Sequence, residues 1–188
     1  MVRIALEISA ILENVKEITT CGDDFRWFLK LRCNSCGETT DSWQYMSLDE
    51  RTPTKGGRGY VSMVQKCKMC SRENHIDIMQ DQLKSFKSEN DGCFVPIAVF
   101  DCRGLEPVEF DFRNGWVVLS SCSSKFYEDV DFCEKEWYEY DDQANVSVSV
   151  SELQYRFQKT KWSCWNIWLG IFEQKSFEQY LERLLHIF

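Results

Sequence analysis

The chain has 188 residues, is 44% hydrophobic and 14% aromatic, and carries a formal charge of −8. That length suits one domain or two small ones with enough apolar material for a core. The acidic balance argues against a general nucleic-acid or anionic-membrane binder, because both need a basic footprint, and no apolar run reaches the roughly 18 residues of a membrane-crossing helix.

The predicted elements are mostly strands. The opening stretch Met1-Val-Arg-Ile-Ala-Leu-Glu-Ile has an acid inside its apolar run and no cleavage-site pattern, so a signal peptide is not expected. Val2, Ile4, Leu6, Ile8, Ala10 and Leu12 alternate with Arg3, Glu7, Ser9 and Glu13, the period of a long half-buried strand. A second strand places Phe25, Trp27, Leu29 and Leu31 inward and Arg26, Lys30 and Arg32 outward, and runs into Cys33. Tyr60 to Lys66 leads into Cys67, and His75-Ile-Asp-Ile-Met resumes the alternation after Cys70. Phe94 to Cys102 is a near-continuous apolar strand interrupted by Pro96, which predicts an edge or a bulge. Val108, Phe110 and Phe112 alternate with acids. Val146, Val148 and Val150 are followed by Leu153, Tyr155 and Phe157, an even-to-odd phase shift that predicts a bulge.

Two Cys-x-x-Cys pairs, Cys33-Asn-Ser-Cys36 and Cys67-Lys-Met-Cys70, stand at the ends of these strands. Together they supply four thiolates, the full ligand set of a tetrahedral Zn²⁺ site. Gly37 follows Cys36, where a knuckle turn calls for positive φ. Lys30, Arg32, Lys66, Lys68 and Arg72 surround the pairs. They either offset the charge of a tetrathiolate or form an ordinary solvated surface. The other six cysteines, Cys21, Cys93, Cys102, Cys122, Cys133 and Cys164, are expected as free thiols in a reducing compartment. A thioredoxin-like redox role is disfavoured, because that motif opens a helix and these pairs follow strands.

Other features weigh less. Lys55-Gly-Gly-Arg-Gly-Tyr is basic and glycine-rich but lacks the order of a phosphate-binding loop, so a hairpin loop is expected. From Glu128 to Asp142, eight acids and Trp137, Tyr138 and Tyr140 face a single Lys135, which suggests a solvated loop anchored by aromatics or a patch for a basic partner. His75 is expected on a strand surface rather than on the metal, and His186 has no evident partner. Phe25 lies eight residues before Cys33 and Phe94 eight before Cys102, a short match that fits either an internal duplication or chance.

Asp24-Phe-Arg-Trp-Phe-Leu-Lys, Ser62-Met-Val-Gln-Lys-Cys-Lys-Met-Cys-Ser-Arg-Glu-Asn, Cys102-Arg-Gly-Leu-Glu-Pro-Val-Glu-Phe and Glu136-Trp-Tyr-Glu-Tyr-Asp, with the Lys55 loop, carry a resemblance over about residues 1–160. The chain resembles the eukaryotic CXXC-motif-containing zinc-binding protein family. The resemblance implies an all-β fold of two similar barrel-like halves, one zinc held by Cys33, Cys36, Cys67 and Cys70, and no established enzymatic activity. The expected organisation is a zinc-binding β half at 1–85, a metal-free β half at 86–160 and an atypical aromatic tail at 161–188. In that tail Phe177, Tyr180, Leu181, Leu184, Leu185 and Phe188 follow helical spacing. The expected protein is a cytoplasmic, also nuclear, monomer. It is non-enzymatic, holds one Zn²⁺, binds a protein partner, and engages neither nucleic acid nor membrane. The alternative is a metal-handling role that passes zinc or copper to a partner.

Overall fold

The computed structural model describes residues 2–54 and 59–160. Strands make up most of them: β1 (Val2–Glu13), β2 (Val15–Thr20), β3 (Trp27–Cys33), β4 (Gln44–Met46), β5 (Thr52–Pro53), β6 (Tyr60–Val61), β7 (Met63–Lys66), β8 (Glu73–Ile78), β9 (Phe86–Lys87), β10 (Val95–Arg103), β11 (Leu105–Asp111), β12 (Trp116–Ser120), β13 (Phe126–Val130), β14 (Trp137–Asp141) and β15 (Val146–Thr160). Among the described residues helix is confined to two single-turn 3₁₀ segments, Gln80–Gln82 and Ser88–Asn90. The fold is mostly β, as the alternation predicts. The helical tail expected over 161–188 lies outside the described residues. No helix among those residues is long and apolar enough to cross a membrane.

The largest sheet runs β14-β15-β1-β10-β8-β7, and two smaller ones run β11-β3-β4 and β13-β12-β2-β9. The opening strand β1 therefore lies between two strands from the later part of the chain, pairing antiparallel with β10 on one side and β15 on the other. Its inward residues Ile4, Leu6, Ile8 and Ala10 are buried, as the alternation predicts, but Ala5 is buried as well. Both predicted irregularities are present. The β1–β10 register slips where Glu7 faces Pro96, so the proline sits beside a bulge. The β1–β15 register slips between Ser9 and Ile11, opposite Glu152, which adopts φ +51°.

The pairings form a repeated pattern. Exchanging β1 with β10, β2 with β11, β3 with β12, β4 with β13, β7 with β14 and β8 with β15 maps each pairing among these strands onto another. Thus β1–β15 becomes β10–β8, β11–β3 becomes β2–β12, β12–β13 becomes β3–β4, and β14–β15 becomes β7–β8. Only β2–β9 and the β5–β6 ribbon fall outside this pattern. Trp27 opens β3 and Trp116 opens β12, and the two rings meet edge-on in the core with centroids 6.3 Å apart. Phe25 packs between them, 4.9 Å from Trp27 and 5.0 Å from Trp116. Counting six residues from each tryptophan brings Cys122 opposite Cys33. The Phe25–Cys33 and Phe94–Cys102 match therefore has the wrong register, because Cys102 lies in β10, the counterpart of β1. A phenylalanine and a cysteine eight residues apart recur cheaply among alternating strands.

Several strands are not predicted from the sequence, among them the short β4, β5 and β9. In β2 only Val15 and Ile18 are buried, because a bulge against β12 breaks its alternation. β12 opens with an apolar run, Trp116 to Leu119, that is not among the predicted elements, while the charged strands β13 and β14 give a weak hydropathy pattern. The acidic segment after Glu128 is not one loop. It holds the end of β13 and all of β14, each at the border of its sheet, where charges protect exposed backbone from further pairing.

The loops of the later segment that correspond to the two cysteine knuckles are 121–125 and 142–145, and a carboxylate joins them. Asp141 is completely buried. Its Oδ2 accepts from Ser120 Oγ at 2.6 Å and from Ser123 Oγ at 2.5 Å. Its Oδ1 accepts from the backbone N–H groups of Gln143 and Ala144 at 3.0 and 3.2 Å. The Ser120 and Ser123 hydroxyls, in that order, hold the carboxyl down at about 2, from an ordinary 3.8. Because the folded pKa is depressed, the stabilisation is present above the unfolded value and is lost as pH falls through the folded one. Asp141→Asn is expected to lower the melting temperature at neutral pH, with the gap from the parent closing between about pH 4 and pH 2. Melting curves of both proteins across that range check this; a gap that persists undiminished at pH 2 would contradict it.

Candidate metal centre

Each knuckle begins where a strand stops. β3 delivers Cys33 and β7 delivers Cys67, and both sulfur-bearing residues are buried at these strand ends. The following turns share one backbone pattern. Gly37 N–H donates to Cys33 O at 2.8 Å, and Cys33 N–H donates to Glu38 O at 2.8 Å. In the second knuckle Ser71 N–H donates to Cys67 O at 3.0 Å, and Cys67 N–H donates to Arg72 O at 2.9 Å. Both turns close through a left-handed residue, Gly37 at φ +79° and Ser71 at φ +57°. A Cβ on Gly37 would meet nothing within 4 Å, so the backbone angle rather than space favours glycine there.

These turns bring all four predicted ligands together. The four Sγ atoms lie within 4.8 Å of one another. The closest approaches cross between knuckles: Cys33 to Cys70 at 3.8 Å and Cys36 to Cys67 at 3.4 Å. A tetrahedron of Zn–S bonds about 2.3 Å long has edges of about 3.8 Å, so the cluster has the size zinc requires. No ligating side chain from elsewhere in the described residues joins the group, His75 included. His75 lies on β8, with Nδ1 buried and without a hydrogen-bond partner among the described residues.

The backbone prepares the sulfurs for negative charge. The N–H of Ser35, then that of Cys36, lowers the Cys33 thiol to about 6. The N–H of Cys70 leads the causes that lower Cys67. Cys36 faces the N–H of Glu38, but burial and the adjoining Cys67, Cys70 and Cys33 outweigh it and raise its thiol to about 12. Four sulfurs this close cannot all ionise without a cation among them. The donor set therefore suits a thiophilic ion, which relieves that repulsion.

The basic residues do less here than their positions suggest. Lys30 pairs with Glu109 at 3.2 Å, Lys68 with Asp41 at 3.0 Å, and Arg32 with Glu106. Side-chain support for the sulfurs comes instead from Asn74 on β8, whose Nδ2 lies 3.6 Å from Cys33 Sγ. The sequence analysis missed this residue, although its signal is legible: the alternation that turns Ile76 and Ile78 inward puts the polar Asn74 on the same buried face.

The eukaryotic family described as CXXC motif containing zinc binding protein matches residues 5–158. The chain belongs to this family. Similar proteins that bear the family's name include one from Xenopus laevis, 45% identical over 159 residues, and one from Homo sapiens, 43% identical over 159 residues. Each match spans 85% of this chain and 99% of the relative. The crystal structure of C1orf123 superposes with a TM-score of 0.81 at 43% identity, covering 84% of this chain and 99% of that one. A Plasmodium falciparum hypothetical protein shares the fold at a TM-score of 0.77 and 24% identity.

Gly37→Ala tests the knuckle geometry within this family fold. With open space around the site, only the left-handed angle opposes the new methyl group, at about 1 kcal/mol. Chemical denaturation of the zinc-loaded protein is expected to show that loss with an unchanged m-value.

Proposed function

We propose that the chain is a non-enzymatic, intracellular zinc protein whose single four-cysteine ion is structural and whose body serves protein interaction. The observation that carries this reading is the arrangement of the ligands. Two knuckles fill all four tetrahedral positions with sulfur and leave no place for the water that a catalytic zinc activates. Two of the ligands, Cys33 and Cys67, are buried at strand ends, so loss of the ion would release β3 and β7 from each other. The relatives' printed names support zinc as the ion. The charge of −8 supports a partner other than nucleic acid or an anionic membrane. We assign the chain to the cytoplasm and nucleus as a monomer made of two related β halves, in keeping with free thiols at Cys21, Cys93, Cys102, Cys122 and Cys133.

A second reading has its own observation. Cys36 and Cys70 are exposed, so an incoming thiol can reach two of the four sulfurs and exchange the ion stepwise. This is the metal-transfer reading, for zinc or copper.

Native mass spectrometry during a chelator titration separates the two. A structural site is expected to lose one zinc only as the charge-state distribution broadens, and Cys67→Ser is expected to give a metal-free, partly unfolded protein. Zinc that leaves while the compact charge states persist would establish the exchangeable site instead.

A further inference from the structure

Asn74 is the most expensive polar residue near the metal centre. It is 1% exposed, and its Oδ1 has no hydrogen-bond partner among the described residues. Burying an amide with half of its capacity unused costs stability, and an apolar side chain of the same shape would avoid that cost. What the residue does make is one contact, from Nδ2 to Cys33 Sγ at 3.6 Å, a normal length for an amide donating to sulfur. Chemistry fixes the orientation of the amide. Turned over, its carbonyl oxygen would face a sulfur that carries negative charge in the metal-bound state.

The other end of the amide explains a glycine. Gly104, between β10 and β11, adopts φ +81°, and a Cβ built on it would stand 2.3 Å from Asn74 Oδ1. The same residue's carbonyl accepts from the N–H of Asn34, the first residue inside the Cys33 knuckle, at 2.9 Å. One turn of the later segment thus touches both the knuckle backbone and the side chain that supports its first sulfur.

We propose that Asn74 is a positioning residue for the metal centre: its amide donates to the Cys33 thiolate and strengthens metal binding, and Gly104 keeps it in place. Hydrogen bonds to a metal-bound thiolate favour the charged ligand and lower the energy of its lone pair. Asn74 thereby distinguishes Cys33 from the other three ligands and ties the affinity of the site to the β10–β11 corner. This inference rests on the four-cysteine metal reading.

The test uses the full chain loaded with Co²⁺ or Zn²⁺. Asn74→Asp keeps the shape and replaces the donor with an acceptor, and Asn74→Ala removes it. Both are expected to weaken zinc in competition with a chromophoric chelator, by at least about tenfold, the usual cost of losing such an outer partner. Both are also expected to move the sulfur-to-cobalt charge-transfer band to longer wavelength, which a loss of stability alone would not do. Gly104→Ala is expected to weaken zinc strongly with Asn74 present and less in the Asn74→Ala background, because the strain of the φ angle is common to both and cancels. Zinc affinity within twofold of the parent and an unmoved band in Asn74→Asp would overturn the proposal. Should both Asn74 variants fail to fold, ¹¹³Cd-loaded parent protein decides the matter: scalar coupling from the Asn74 amide protons to cadmium supports the hydrogen bond, and its absence overturns it. Failure of the parent chain to bind Co²⁺, Zn²⁺ or Cd²⁺ would instead refute the metal reading itself.

Discussion

Everything in this fold hangs on the pairing of β1 with both β10 and β15. The first strand made becomes the middle of a six-stranded sheet completed by the last described strand. Backbone hydrogen bonds on both edges of β1 fix its depth and register, which turns Ile4, Leu6, Ile8 and Ala10 into the core. The two smaller sheets follow the same cross-over, since β3 pairs with β11 and β2 with β12. Neither segment can complete its sheets from its own strands. The part that carries the cysteine knuckles and the later part are thus related in pattern yet folded through one another, around a single cluster that holds Trp27, Trp116, Phe100 and Phe110.

That cross-over leaves two pairs of corresponding loops at strand ends, and in each pair buried polar or sulfur groups form the cross-link. Loops of a few residues bury too little apolar surface to hold themselves. At the first pair, four cysteines converge to the separations of a tetrahedral metal site. At the second, Asp141 gathers two hydroxyls and two backbone N–H groups onto one carboxylate. Both devices place concentrated negative charge among directed donors. They differ in what they respond to: the first to metal supply and the second to acid.

The outer face of the β11-β3-β4 sheet shows where the positive charge goes. Arg113 lies over Phe28 at 3.9 Å, Lys30 over Trp43 at 5.1 Å and Arg26 over Tyr45 at 4.9 Å. Lys30 is also paired with Glu109 on the neighbouring strand, and Arg113 with Asp111 two residues before it. These cations stabilise the sheet face locally and are not left to steer anionic partners. The unbalanced acids collect instead around β13 and β14, where they keep strand borders from pairing with other chains.

Much of the chemistry was legible in the residue order. Alternation specified β1, β3, β8, β11 and β15, since a half-buried strand can satisfy both water and core only with period 2, and a near-continuous apolar run specified β10. Two Cys-x-x-Cys pairs at strand ends marked the four cysteines that converge, because each pair is a short turn that can present two sulfurs to one point. The phase shift after Val150 and the proline at 96 announced their bulges. Other features depended on contacts between residues distant in the chain. Short border strands carry their charges outward and look like loops. The correspondence of Cys122 with Cys33 rests on strand pairing that no local window contains. Asn74 and Gly104 are thirty positions apart, and only the closing of β8 against β10 puts the amide of one, the backbone of the other and a cysteine sulfur in the same small space. Local periodicity reports which way a side chain faces; what it meets there is decided by the tertiary pairing, because the contact energies that select it belong to two or more segments at once.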